Sequence, residues 1–191
     1  MLTHRPFTPD EALRLHEELK TTPNIFGYTV EELLRFRDVF VAEIEGAFAG
    51  TCVSKDLLFG WTDIAVLYVL PAYRGRGLGT ELYTAAWERA VQRGRHIFTL
   101  SRSPEVIHLM ERFGMKMTGA MWRAPLAVHL HMNRHMMSRY RIKEAIRKSR
   151  QMKSDTPLLS GVKRHRPVSG SAEVSPVRDR QESQEQQRRP T

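Results

Sequence analysis

Residues 69–80, VLPAYRGRGLGT, decide how this chain is read. They follow DIAVLYVL, residues 63–70, in which Val66, Tyr68 and Val69 are strong strand formers. That run is apolar on both faces, which predicts a central strand. They precede TELYTAAWERAVQRG, residues 80–94, where Leu82, Ala85, Ala86, Trp87 and Val91 recur near the helical period and Gly94 ends the pattern. The stretch is therefore a strand-to-helix turn. A helix that starts there offers unpaired backbone N–H groups and the positive end of its dipole. Gly75, Gly77 and Gly79 permit unusual backbone angles and a close approach, and Arg74 and Arg76 add cationic donors. The turn reads as an anion site, with phosphate the natural guest. A solvated surface turn and a basic patch for nucleic acid are the alternatives.

Outward from this turn, the chain alternates strands and helices. Thr8, Pro9, Asp10 and Glu11 open a helix whose apolar face is Leu13, Leu15 and Leu19. TTPNIFGYT is a loop, and Thr29 with Glu32 forms a capping box for a second helix. DVFVAEIEGAFAGTCVSK reads as a hairpin turning at Glu45-Gly46. After residue 94 come a strand, RHIFTLS, and a helix, SPEVIHLMERFG, capped by Ser103 and closed by Gly114. MKMTGAMWRAPLAVHLHM is expected to be one or two strands, and residues 133–153 a basic helix. The expected fold is α/β, a mixed central sheet with helices on both faces.

Length and charge divide the chain further. Its 191 residues suffice for one domain with a core and a remainder. Residues 1–128 carry 15 basic and 15 acidic side chains, whereas residues 129–191 carry 15 and 6, so the net +9 belongs to the last third. The expected division is a domain over 1–130, a basic helix over 131–153 and a disordered basic tail over 154–191. That tail is the candidate contact for nucleic acid or an acidic partner, although it lacks stacking aromatics. No apolar run approaches the roughly 18 residues of a membrane span. The lone Cys52 and the absence of a signal-peptide pattern lead to the expectation of a cytoplasmic protein.

Two phosphate motifs do not fit. A Walker loop requires Lys after its last glycine, and Thr80 stands there; a dinucleotide fingerprint requires a different glycine spacing. Arg74-Gly75-Arg76-Gly77-Leu78-Gly79 instead resembles the [RQ]-x-x-G-x-[GA] motif of the GNAT superfamily of N-acetyltransferases, with the familiar lead-in VLPAYRGRG. SPEVIHLMERFGM is similar to that family's N-x-x-A-x-x-L-Y-E-x-x-G-F segment.

The resemblance implies acetyl-CoA as cosubstrate and a primary amine of a small molecule or protein as acceptor, with direct attack of the amine on the thioester. It implies that Arg74, Gly75, Arg76, Gly77, Leu78, Gly79 and Thr80 hold the pyrophosphate and that Leu67, Tyr68 and Val69 pair with the pantetheine arm. The backbone N–H of Val69 would stabilise the oxyanion. Ser103 matches the family's Asn. Asp63 is the candidate base, four residues before Leu67, and by strand alternation it shares a face with Leu67 and Val69 unless a bulge intervenes. Glu43 is a weaker candidate. The chain departs from the family at Met110, which stands where a proton-donating Tyr is usual and cannot donate. Tyr68 and Tyr83 are nearby tyrosines at other positions. This departure keeps open a second reading, a CoA-binding module that has lost its acid and uses the basic tail to bind a partner. On the acceptor side, Asn24, Ile25, Phe26 and Tyr28 are loop candidates, and His129, His131 and His135 form a weak metal pattern.

Overall fold

The computed structural model describes residues 1–22, 25, 27–119, 124–136 and 157–165. Its elements are β1 (Leu2–His4), α1 (Pro9–Thr21), α2 (Val30–Leu34), β2 (Asp38–Ile44), β3 (Ala47–Asp56), β4 (Trp61–Val69), α3 (Leu78–Gln92), β5 (His96–Ser101), α4 (Pro104–Arg112), β6 (Lys116–Thr118), α5 (Leu126–Met136) and β7 (Leu159–Lys163). A 3-10 turn at Pro71–Tyr73 separates β4 from the glycine stretch. The strands form a seven-stranded mixed sheet in the order β1-β2-β3-β4-β5-β7-β6.

Local chemistry sets the ends of the first helices as read. Thr8 and Glu11 close a capping box on α1, and Thr29 and Glu32 close another on α2. Each box satisfies two backbone donors that a helix start leaves over. The β2–β3 hairpin turns through Glu45 and Gly46, both at positive φ, which matches the twist of the flanking strands.

The sheet buries both faces. Leu15, Leu19 and Leu33 from α1 and α2 pack on Val39, Val53, Val66 and Tyr68. On the other face Leu82, Tyr83 and Ala86 from α3 and Met110 from α4 pack on Cys52, Ile64 and Ile97. Val66 and Tyr68 thus lie on one face, and Leu67 and Val69 on the other. Ile64 also lies on the second face. This parity is possible because the β3–β4 register slips: Val53 pairs with Val66 but Ser54 pairs with Ile64, leaving Ala65 as an extra residue. A bulge of this kind reverses the alternation beyond it.

Two expectations need correction. Residues 126–132, expected to be strand, are helical and form the start of α5, while residues 133–136 are helical as expected. Leu126, Ala127, Leu130 and Met132 are good helix formers, and only Val128 is β-branched, so the apparent alternation of HLHM carried little strand preference. Ala127 and Val128 are buried on Trp61 and Phe98. The second correction concerns the tail. Leu159–Lys163 lies within the region expected to be disordered, yet it is β7, paired with β5 on one side and β6 on the other. Five residues suffice because Gly161 lets the strand pass beneath α4: a Cβ there would stand 2.7 Å from Met110 Cε and 3.0 Å from Met115 Sδ. Averaging composition over a polar tail hides so short a segment. Residues 137–156 and 166–191, which carry most of the basic excess, lie outside the described residues.

Candidate functional site

The site follows from an incomplete strand pairing. β4 and β5 run parallel and pair over Trp61–His96, Thr62–Ile97 and Asp63–Phe98 only. Beyond that point β4 continues to Val69 and β5 to Ser101 without pairing with each other. The fork opens a cleft of about 1020 Å3, walled by Leu67 and Val69 on one side and by Thr99 and Ser101 on the other. Backbone polarity faces into it. The Leu70 N–H donates to the Ala49 carbonyl on β3 at 2.9 Å. Peptide groups alternate sides along a strand, so the N–H groups of Val69 and Leu67 turn the other way, toward the fork.

At the mouth of the fork stands the glycine turn. Gly75 and Gly77 have φ of +75° and +81°, and Gly77 is the N-cap of α3. These are left-handed angles that a side chain makes costly. The amides of Gly75, Arg76, Gly77, Leu78 and Gly79 make no hydrogen bond among the described residues, in contrast to Thr80 and Glu81, which both donate to the Gly77 carbonyl. Five successive unengaged donors, a helix N-terminus of a fifteen-residue helix and flanking arginines suit a phosphate-bearing ligand. Arg74 folds back to donate from Nε to the Val69 carbonyl at 3.0 Å and lies 5.6 Å from the Tyr68 ring centre.

The residues expected from the sequence are distributed unevenly. Leu67, Tyr68, Val69, Arg74, Gly75, Gly77, Leu78, Gly79, Thr80 and Ser103 all line the cleft, whereas Arg76 and Asp63 do not. Arg76 is exposed and sits 5.7 Å from the Tyr73 ring centre. Ser103 donates its hydroxyl to Glu105, and that bond holds the Glu105 carboxyl below its usual range. Asp63 is the last residue of β4 paired with β5, at the base of the fork. The bulge at Ala65 sets it opposite Lys55 and off the face shared by Leu67 and Val69. Burial pushes its pKa up to about 6, against the pull of Lys55.

The other candidates separate clearly. Met110 is fully buried core, packed on Gly161 and the α3 face, and does not line the cleft. Tyr83 is also fully buried, with its hydroxyl 3.1 Å from Thr99 Oγ1, and burial raises its pKa. Glu43 is ion-paired to Arg5 at 2.6 Å, away from the cleft. Ile25 and Tyr28 line the cleft, while Asn24 and Phe26 lie outside the described residues. His129 and His131 occupy α5, where residues two apart point to different sides; the strand geometry expected for them is absent.

Sequence reasoning missed Glu18 on α1 and Thr22, the residue that caps its C-terminus, which line the far end of the cleft. Tyr68 donates its hydroxyl to Glu18 Oε2 at 2.6 Å, across fifty positions of sequence. No local signal marks such a pair.

Comparison with known proteins agrees with this geometry. Residues 7–115 match the model of the acetyltransferase (GNAT) family. No curated protein matches the chain. Among solved structures, N-acetylglutamate synthase from Neisseria gonorrhoeae, complexed with coenzyme A and N-acetyl-glutamate, superposes with a TM-score of 0.61 at 16% identity over 87% of this chain. The chain spans only 36% of that protein's length. Rv2747 from Mycobacterium tuberculosis, in complex with CoA, gives 0.60 at 15% identity, covering 84% of this chain and 97% of that one. The protein yncA from Salmonella typhimurium, with its cofactor acetyl-CoA, gives 0.50 at 20% identity, covering 62% and 81%. At these identities the likeness is one of fold. The family model, which spans more than half of the sequence, decides membership: the chain belongs to the GNAT family of acetyltransferases.

Proposed function

We propose that this protein is an N-acetyltransferase that uses acetyl-CoA to acetylate a primary amine of a small molecule or protein. The observation that carries the reading is the row of unengaged amides from Gly75 to Gly79 at the mouth of the β4–β5 fork. Those amides and Arg74 would hold the pyrophosphate, and the fork-facing peptide groups of Leu67 and Val69 would hold the pantetheine arm. When bound, acetyl-CoA supplies an activated acyl group. The chain's own residues supply the rest. The fork-facing Val69 N–H is a fixed donor in a partly enclosed site, the arrangement that stabilises a developing oxyanion. Asp63, held near pKa 6, is deprotonated at neutral pH yet basic enough to accept a proton. Because it stands outside the cleft wall, it takes the proton of the incoming ammonium through water. Met110 supplies no acid, and a thiol with a pKa near that of cysteine, about 8.5, leaves without one.

The test is a thermal-denaturation series with acetyl-CoA followed by a thiol-release assay against amines, polyamines and peptide amino termini. At 100 times the dissociation constant, acetyl-CoA is expected to stabilise the fold by about 2.7 kcal/mol. Absence of any shift at saturating acetyl-CoA overturns the reading.

A further inference from the structure

The cleft continues through the fork to the face carrying α1, and its chemistry changes sign on the way. Glu18 lines that end and is only partly exposed. Its Oε2 accepts the Tyr68 hydroxyl, which fixes the carboxylate and leaves Oε1 for an occupant of the cleft. Three cations of nearby elements are engaged elsewhere, and Arg14, one turn before Glu18 on α1, is exposed and outside the cleft lining. Arg74 is on the Val69 carbonyl, Lys20 pairs with Glu17 at 2.7 Å, and Lys55 donates to the Tyr28 hydroxyl at 3.0 Å while lying over the Tyr28 and Phe36 rings. Among the described residues, no Lys or Arg forms an ion pair with Glu18. Tyr28, Tyr68 and Tyr73 add aromatic surface to the same cleft.

A half-buried carboxylate without a cationic partner, held in place by a phenol and set among aromatic rings, is complementary to an ammonium group. We infer that Glu18 is the specificity-determining residue for the acceptor: it binds the acceptor's ammonium and rejects amines that carry a carboxylate beside it. The inference rests on the acetyltransferase reading and names its substrate class. Two carboxylates a few ångströms apart in a partly desolvated cleft repel strongly, so a free α-amino acid is disfavoured. The acceptor is therefore an alkyl amine, a polyamine or the amino terminus of a peptide. Tyr68 is a positioning residue that acts through Glu18.

The experiment uses the full chain and four probes: putrescine and glycinamide, which lack a carboxylate, and glycine and glutamate, which carry one. Binding is measured by calorimetry, with and without acetyl-CoA, and KM and kcat wherever transfer is observed. Putrescine or glycinamide is expected to bind at least tenfold more tightly than glycine. Glu18→Gln should weaken that binding about tenfold, the loss of one charge-assisted bond. The effect should fall on KM, with the thermal shift by acetyl-CoA retained as proof of an intact fold. Tyr68→Phe should show the same split at about threefold. Equal or tighter binding of glycine, or Glu18→Gln with a wild-type acetyl-CoA shift and unchanged amine binding, overturns the inference. A wild-type protein that shows no acetyl-CoA shift overturns the acetyltransferase reading instead, and the calorimetry on the unliganded protein still decides the role of Glu18.

Discussion

The two ends of the cleft are made of different materials. At the α3 end the donors are backbone amides of five consecutive residues, shaped by left-handed glycines and reinforced by a helix dipole. At the α1 end the polar groups are side chains from Glu18, Tyr28 and Tyr68, delivered by a helix, a loop and a strand. A site made of backbone is written in contiguous sequence. A site made of side chains exists only once the chain has folded. The first kind suits a cosubstrate common to a family, and the second suits an acceptor particular to one member.

The strongest way to break this comparison is Gly79→Glu. The nearest atom to a new Cβ there is Val69 Cγ2 at 3.8 Å, and Gly79 is not in the left-handed region. The side chain therefore fits, and an acidic residue in the first helical turn stabilises α3 by a few tenths of a kcal/mol. The expected outcome is a folded protein with an unchanged or slightly raised Tm whose affinity for acetyl-CoA, read by calorimetry, falls about 100-fold or more, ~3 kcal/mol. Retained affinity would show that the phosphates bind elsewhere.

A smaller effect tests what holds the β5 wall of the cleft. Gly161→Leu drives a side chain into Met110 and Met115. Overpacking of this kind costs about 2–3 kcal/mol, measured as a fall in the urea midpoint. A midpoint equal to wild type would mean that β7 is not part of the cooperative unit.

The smallest effect concerns the base of the fork. The Asp63 pKa is raised from 3.8 to about 6, so the folded state holds its proton more tightly than the unfolded chain does. Such a group destabilises as it ionises: its contribution is intact below pH ~4 and is lost as pH rises through ~6. Asp63→Asn removes that loss. The variant is expected to be more stable than wild type by about 1–2 kcal/mol at pH 8 and to match it at pH 4. In the thiol-release assay the acid limb of the rate profile near pH 6 should disappear with it. A limb that survives in the variant sinks the base assignment while leaving both ends of the cleft untouched.

Most of the sheet and its helices were legible in the sequence because their signals are local. Capping residues Thr8 and Thr29 act within four positions, and the Glu45-Gly46 turn within two. β7 was not legible, since its five residues gain their stability from β5, β6 and Met110 rather than from their own composition. The helical state of residues 126–132 was misread because Ala127 and Val128 satisfy either period until Trp61 and Phe98 are there to receive them. Asp63 stood out in the sequence as a candidate, but the face it takes was not legible, because a single extra residue at Ala65 turns the strand over.

The sequence by itself determined the turn from Val69 to Thr80: strand, glycines at the left-handed positions, helix, and hence a row of backbone donors of the kind an anion suits. Steric freedom at Gly75 and Gly77 and the unpaired amides of a helix start are properties of adjacent residues. Only the tertiary structure decided that β4 and β5 part after Asp63, that Met110 is core, and that Tyr68 holds Glu18 at the far end of the opening. Those outcomes depend on contacts between residues tens of positions apart, and no local preference encodes them.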